Sequence, residues 1–166
     1  MTDPRWRQIF EPLAASSHRL WIRRGLAGLW AWMVFSAILH CSPWLGGPPI
    51  QLDLWLGTLF TDQPMLARLL GLAIQGLLVL ALVLSYERFL AASERPWLAS
   101  GAMAGVLFWL LLVGVVLPLV DLINPLIQAA IFPSVGLFAL RQGLVSAAVW
   151  LVASMGFGLA LAGYAR

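Results

Sequence analysis

The feature that most constrains this chain is an uncharged hydrophobic stretch that runs from Pro96 to Val120. An α-helix rises about 1.5 Å per residue, so about 20 residues cross the roughly 30 Å hydrocarbon core of a bilayer. The stretch is long enough for this, and it is apolar on every side of a helix, unlike the helices of a protein surface. It therefore predicts a transmembrane helix.

Three further stretches have the same character. Together they predict an all-α integral membrane protein whose four transmembrane helices span about residues 25–42, 67–86, 99–120 and 142–163. Composition agrees, because 61% of the 166 residues are hydrophobic and 10% are charged, whereas soluble domains carry about 25% charged residues. We expect residues 25–166 to form a single membrane domain, preceded by a cytoplasmic amphipathic tail over residues 1–24.

Two apolar segments between the predicted spans are short or interrupted. Residues 50–60 follow a run of prolines and glycines, and residues 122–140 contain two prolines together with Asn124 and Gln128. A membrane tolerates such broken segments only at its interface or where protein buries them. We expect both to be outer interfacial segments. The alternative is that residues 122–140, which carry no charge, form a fifth span.

The arginines predict the orientation. All ten basic residues are arginine, which is typical of a GC-rich bacterial genome. With four spans and a cytoplasmic N-terminus, only Arg68 and Arg141 face the outside, and a fifth span would leave the same ratio. We therefore expect both termini to be cytoplasmic and the protein to be a multi-pass protein of the bacterial inner (cytoplasmic) membrane.

The two halves of the chain resemble each other. Small residues open the first half at 25–28 and the second at 101–105, and an arginine, Arg68 or Arg141, starts each returning helix. This pattern predicts two similar tandem helical hairpins related by an axis along the membrane normal.

A family resemblance rests on the same motifs. With Ala27-Gly28 and Ala104-Gly105 at the starts of the hairpins, the chain resembles small four-span bacterial membrane proteins of the YagU-like type over about residues 24–164. The resemblance implies the tandem hairpins and carries no defined activity.

Small residues recur at helical spacing in the predicted spans. Close backbone approach between helices stabilises association in lipid, where the hydrophobic effect does not drive helices together. This spacing predicts helix packing, within the chain or with a partner, at Gly101, Gly105, Ser154, Gly158 and Ala162.

Four polar residues are candidates for partner or lipid contacts. Arg68, Asp121 and Arg141 share the outer side in the predicted topology, and Gln75 lies deeper in its span. The charged residues could pair and hold the two halves together, bind a lipid headgroup, or extend their side chains to the interface. We expect Gln75 to hydrogen-bond another helix.

The sequence contains no recognisable catalytic motif, and we predict no enzyme activity, cofactor or metal site. His40-Cys41 offers two adjacent ligand types, but a metal site needs three or four, and His18 lies on the other side of the membrane. The net charge of +3 is too small to indicate nucleic-acid binding.

Two functional hypotheses follow. The first is a non-catalytic accessory or assembly subunit of a larger inner-membrane complex, with other integral membrane subunits and membrane lipids as partners. The alternative is a small protein that binds or transports a lipid or another apolar molecule, with Arg68 and Arg141 at a headgroup site.

Overall fold

The computed structural model describes residues 4–91 and 96–164, with side chains from Leu20 to Phe89 and from Pro96 to Tyr164. Of the arginines that the topology prediction places in the cytoplasm, the side chains of Arg23, Arg24 and Arg88 lie in this part. No strand occurs in the described residues. Four helices are long and apolar enough to cross a membrane: Leu20–His40, Pro64–Phe89, Trp97–Ile123 and Leu144–Tyr164. The prediction of an all-α fold with four such helices is confirmed.

The elements follow each other with short connections. The first half contains α1 (Pro4–His40), a 3-10 turn (Ser42–Leu45), α2 (Leu52–Gly57), α3 (Pro64–Tyr86) and a π-helical turn (Glu87–Ala91). The second half contains α4 (Trp97–Leu111), a π-helical turn (Leu112–Val116), α5 (Leu117–Ile123), α6 (Pro125–Gln128), a 3-10 turn (Leu137–Gln142) and α7 (Leu144–Tyr164).

The first helix is longer than the predicted span. α1 begins at Pro4 and continues to His40, so the predicted tail and the first span share one helix. Proline suits the first position of a helix, because the N–H that it lacks would have no partner there.

The third span also differs from its predicted end. Its helix continues past Val120 to Ile123, and residues 124–140 then form α6 and turns rather than a fifth span. The π-helical turn inside this span precedes Pro118. A proline has no N–H to donate and crowds the carbonyl four residues earlier, that of Gly114, so a wider turn is accommodated here.

The short helix α2 lies inside the protein rather than on its surface. Five of its six residues are buried: Leu52, Leu54, Trp55, Leu56 and Gly57. It packs on the first turns of α3 so closely that a Cβ at Gly57 would overlap the backbone of Ala67, and one at Gly71 would overlap the backbone of Asp53. The middle of segment 50–60 is therefore largely buried by protein, which a membrane protein can accommodate, while Phe60 at its end is exposed.

The core is centred on α7, which packs against both α4 and α1. Aromatic rings from three helices meet there, with centroid distances of 4.7 Å between Phe108 and Phe157 and 5.2 Å between Phe35 and Phe108. Trp150, which is fully buried, stacks on Trp55 of α2. Large aromatic side chains supply much of the packing area where these helices cross.

A buried asparagine joins the two halves. Asn124 is fully buried, and its Nδ2 donates to Thr58 Oγ1 at 2.8 Å and to the carbonyl of Trp55 at 3.3 Å. Its Oδ1 accepts from the N–H of Leu126 and caps α6. The segment after the third span is thus attached to α2 by hydrogen bonds that the surroundings shield from water.

Gly71→Ala should destabilise the protein by about 1–3 kcal/mol or more, because the added methyl would overlap the backbone of α2. Gly76→Ala is the matched control on the same helix, since no atom lies within 4 Å of its Cβ position. Thermal unfolding in detergent measures both. Equal melting temperatures of the two variants would contradict the close α2–α3 packing.

Candidate functional site

The helices α1 and α3 run antiparallel and touch at only a few places. At one end Arg24 Nε donates to Glu87 Oε2 at 2.7 Å. Further along, a Cβ at Gly28 would lie 3.0 Å from a methyl of Val79, so the helices approach each other there. Between and beyond these contacts they are separated by cavities. In the second half, α4 and α7 are by contrast in close contact.

The first cavity, here called the apolar groove, has a volume of about 410 Å³ and lies towards the Arg24 end. Its walls are almost entirely apolar and include Leu29, Val79 and Leu80. Gly25 and Gly76 also line it, and nothing lies within 4 Å of the Cβ position of either glycine. The groove is open to the outside of the bundle, since Leu29 is half exposed.

The second cavity, here called the polar cavity, has a volume of about 270 Å³ and lies at the His40 end, between α1, α2 and α3. Arg68 and Asp53 both line it, so it carries one positive and one negative side chain. His40 also lines it, and its Nδ1 donates to the carbonyl of Ser36 at 2.8 Å. A carbonyl can only accept, so Nδ1 is the donor.

A hydrogen bond lies where the two cavities meet. Trp32 and Leu72 line both of them. Trp32 Nε1 donates to Gln75 Oε1 at 3.1 Å, and Gln75 is 7% exposed. Gln75 of α3 thus hydrogen-bonds a residue of another helix, α1, as the sequence analysis expected. The groove and the cavity together follow the α1–α3 pair from Arg24 to His40, about 24 Å at the rise of an α-helix.

A further apolar cavity of about 300 Å³ lies on the other side of α3, against α4. Tyr86 Oη and Ser100 Oγ, 3.2 Å apart, form a hydrogen bond near it. Its lining residues carry no charge. The helix α3 is therefore loosely packed on two sides, and only the α1 side has charged groups at its end.

The predicted cluster of Arg68, Asp121 and Arg141 is not a directly paired group. The carboxylate of Asp121 accepts from Ser134 Oγ at 2.7 Å and from the N–H of Gly136 at 2.6 Å, while Arg141 Nη1 donates to the same Ser134 Oγ at 3.0 Å. These contacts order the loop before α7 and stay within the second half. Arg68 lies apart from them, in the polar cavity.

The five residues predicted to pack helices lie together where α4 crosses α7. A Cβ at Gly101 would lie 2.9 Å from the side chain of Ala162, and one at Gly105 would lie 2.7 Å from the carbonyl of Ser154. A Cβ at Gly158 would overlap the backbone of Gly105. This face of small residues is therefore occupied within the chain.

Sequence reasoning missed several residues of the site. Asp53 belongs to a short apolar segment, His40 was considered only as a metal ligand, and Trp32 was not singled out. Spacing along the chain does not show that these residues meet, because α2 brings Asp53 to the end of α1 only through its tertiary packing. The one local signal was an acidic residue inside an otherwise apolar segment, since buried carboxylates are rare.

Among the described residues, no group of three or more His, Cys, Asp or Glu side chains is placed to hold a metal ion. Comparisons of the chain with protein-family models, with curated proteins and with solved structures found no match. The resemblance to YagU-like proteins stays a prediction.

The Trp32–Gln75 hydrogen bond can be measured by a double-mutant cycle with Trp32→Phe and Gln75→Leu. We expect a coupling energy of about 0.6 kcal/mol and at most about 1.7 kcal/mol, the average and the maximum for hydrogen bonds between helices in a membrane protein. Unfolding in detergent micelles gives the four stabilities. Strictly additive effects would show that the two side chains do not interact.

Proposed function

We propose that this protein binds an amphiphilic lipid molecule between α1 and α3, as a non-catalytic, multi-pass protein of the bacterial inner (cytoplasmic) membrane. The observation that supports this most strongly is that the apolar groove and the polar cavity adjoin, with Trp32 and Leu72 in the walls of both. An acyl chain suits walls such as Leu29 and Leu80. A charged headgroup suits the end that carries Arg68 and Asp53.

The volumes and the charge distribution support a specific ligand rather than general solvation by lipid. Ligand pockets typically measure about 300–1,000 Å³ and combine apolar walls with a few polar groups. An acyl chain that leaves the bilayer for the groove gains little, because both surroundings are apolar. Selectivity must therefore come from the polar cavity, where charge-assisted hydrogen bonds are available.

The lipid hypothesis changes in one respect from its form in the sequence analysis. Arg141 is bound to Ser134 in the second half and does not line the polar cavity. Arg68 keeps its proposed role at the headgroup, and Asp53 and His40 take the place of Arg141 there.

The topology belongs to the same proposal. We place both termini in the cytoplasm and treat the halves as tandem hairpins, which puts the polar cavity at the outer side of the membrane. In this arrangement the hairpins have diverged. The α4–α7 hairpin is closed by small residues, and the α1–α3 hairpin is open because α2 lies between the ends of its helices.

A second candidate is the accessory-subunit role, in which the apolar groove receives a helix from another integral membrane protein. The open Cβ positions of Gly25 and Gly76 favour it, because small residues allow a partner helix to approach closely. Against it, the small-residue faces of α4 and α7 and the Ala67–Gly71 face of α3 are already occupied within the chain.

Gly76→Leu should lower the amount of lipid that copurifies with the protein by about fivefold or more, because the new side chain fills the groove without a backbone clash. Ala73→Leu adds similar bulk at an exposed position on the same helix, outside the groove lining, and should retain the lipid. Lipid is quantified by mass spectrometry of the purified protein. Equal lipid in both variants would refute the groove as the binding site.

The native mass of the protein, extracted in mild detergent from its own host, separates the two candidates. A monomer or small homo-oligomer with bound lipid supports lipid binding. A large particle that contains unrelated subunits and that Gly76→Leu disrupts supports the accessory-subunit role and contradicts the lipid proposal.

A further inference from the structure

We propose that the polar cavity selects a zwitterionic headgroup, one that carries both a phosphate anion and a primary ammonium group. Arg68 faces the phosphate, and Asp53 faces the ammonium group. This inference rests on the proposed lipid-binding function and names the class of lipid.

The two charges in the cavity are separate. The ion pair between Arg24 and Glu87 is the only one within 4.0 Å among the described side chains, so Arg68 and Asp53 do not neutralise each other directly. Both nevertheless line the same cavity of about 270 Å³. Separated charges of opposite sign in a partly enclosed space are complementary to a ligand whose own charges are separated and opposite.

The acceptors of the cavity favour an amine. An ammonium group has three N–H donors and needs acceptors. The carboxylate of Asp53 is one acceptor, and in the His40 tautomer that donates from Nδ1, Nε2 is a second. The side chain of Gln51, which also lines the cavity, carries an amide oxygen that can serve as a third. Arg68 is the charged donor in the lining, and its guanidinium matches the geometry of a phosphate.

A purely anionic headgroup fits less well. Arg68 and Asp53 carry opposite unit charges, so together they offer no net positive charge. A lone phosphate would gain the attraction of Arg68 and meet the repulsion of Asp53. An ammonium group on the same headgroup is attracted to Asp53. The cavity should therefore bind a zwitterionic headgroup more tightly than an anionic one.

The test compares lipids that share their acyl chains. Native mass spectrometry of the full-length protein in detergent measures its affinity for phosphatidylethanolamine, for phosphatidylglycerol and for phosphatidylethanolamine with an acylated amine. We expect phosphatidylethanolamine to bind about tenfold more tightly than the other two. Equal affinities would overturn the headgroup inference and leave lipid binding intact.

Variants assign the two contacts. Asp53→Asn should reduce the preference for phosphatidylethanolamine over phosphatidylglycerol to within about twofold, whereas Arg68→Gln should weaken both lipids. Asp62→Asn is the control, because Asp62 is exposed and does not line the cavity. A preference that survives Asp53→Asn would refute the role of Asp53. If the Asp53→Asn variant does not fold, the inference is tested on the unaltered protein, by comparing phosphatidylethanolamine with the lipid whose amine is acylated.

A soluble headgroup separates this inference from the proposed function. Glycerophosphoethanolamine has the same charges and no acyl chains. If the lipid occupies the groove, Gly76→Leu should weaken binding of the complete lipid and leave the affinity for this compound unchanged, since the compound has no acyl chain to enter the groove. A lipid affinity that Gly76→Leu leaves unchanged would contradict the lipid proposal, while binding of this compound would still support the zwitterion site. Failure of every lipid to bind would refute both.

Discussion

The close packing of α2 on α3 is the contact on which the rest of this architecture depends. Two glycines, Gly57 and Gly71, remove the side chains that would separate the backbones. The contact keeps a short helix buried at the end of the bundle, and it places Leu52 and Asp53 against the cavity between α1 and α3. Because α2 lies there, the ends of α1 and α3 cannot close on each other as α4 and α7 do.

The difference between the two hairpins connects the fold with the proposed function. The second hairpin is closed by small residues, its charged groups are used within the loop before α7, and Asp121 is satisfied by three donors there. The first hairpin leaves Arg68 and Asp53 available to a ligand. The α4–α7 pair is thus closely packed, whereas the α1–α3 pair contains the candidate site.

Sequence alone predicted the fold class and the helix-forming stretches well, because twenty apolar residues in a row have few alternatives. It placed the third span at about residues 99–120, just before Asp121, and the helix itself extends to Ile123. The helix continues because backbone N–H groups and a serine hydroxyl satisfy the carboxylate. Arg68, Asp121 and Arg141 were grouped by their side of the membrane, a criterion that cannot tell which of them share a cavity. The polar cavity itself was not predicted, because it exists only where α2 packs between two helices.

The central claim is that one lipid occupies the space between α1 and α3 in the membrane. Site-specific photo-crosslinking tests it most directly, with the photoreactive residue at Leu72, which lines both cavities, and in a second protein at Val152, an exposed residue of α7. We predict that Leu72 crosslinks a single enriched lipid species with near-stoichiometric yield, and that Val152 crosslinks lipids in proportion to the bulk membrane. The same bulk mixture at both positions, or a protein adduct at Leu72, would contradict the account.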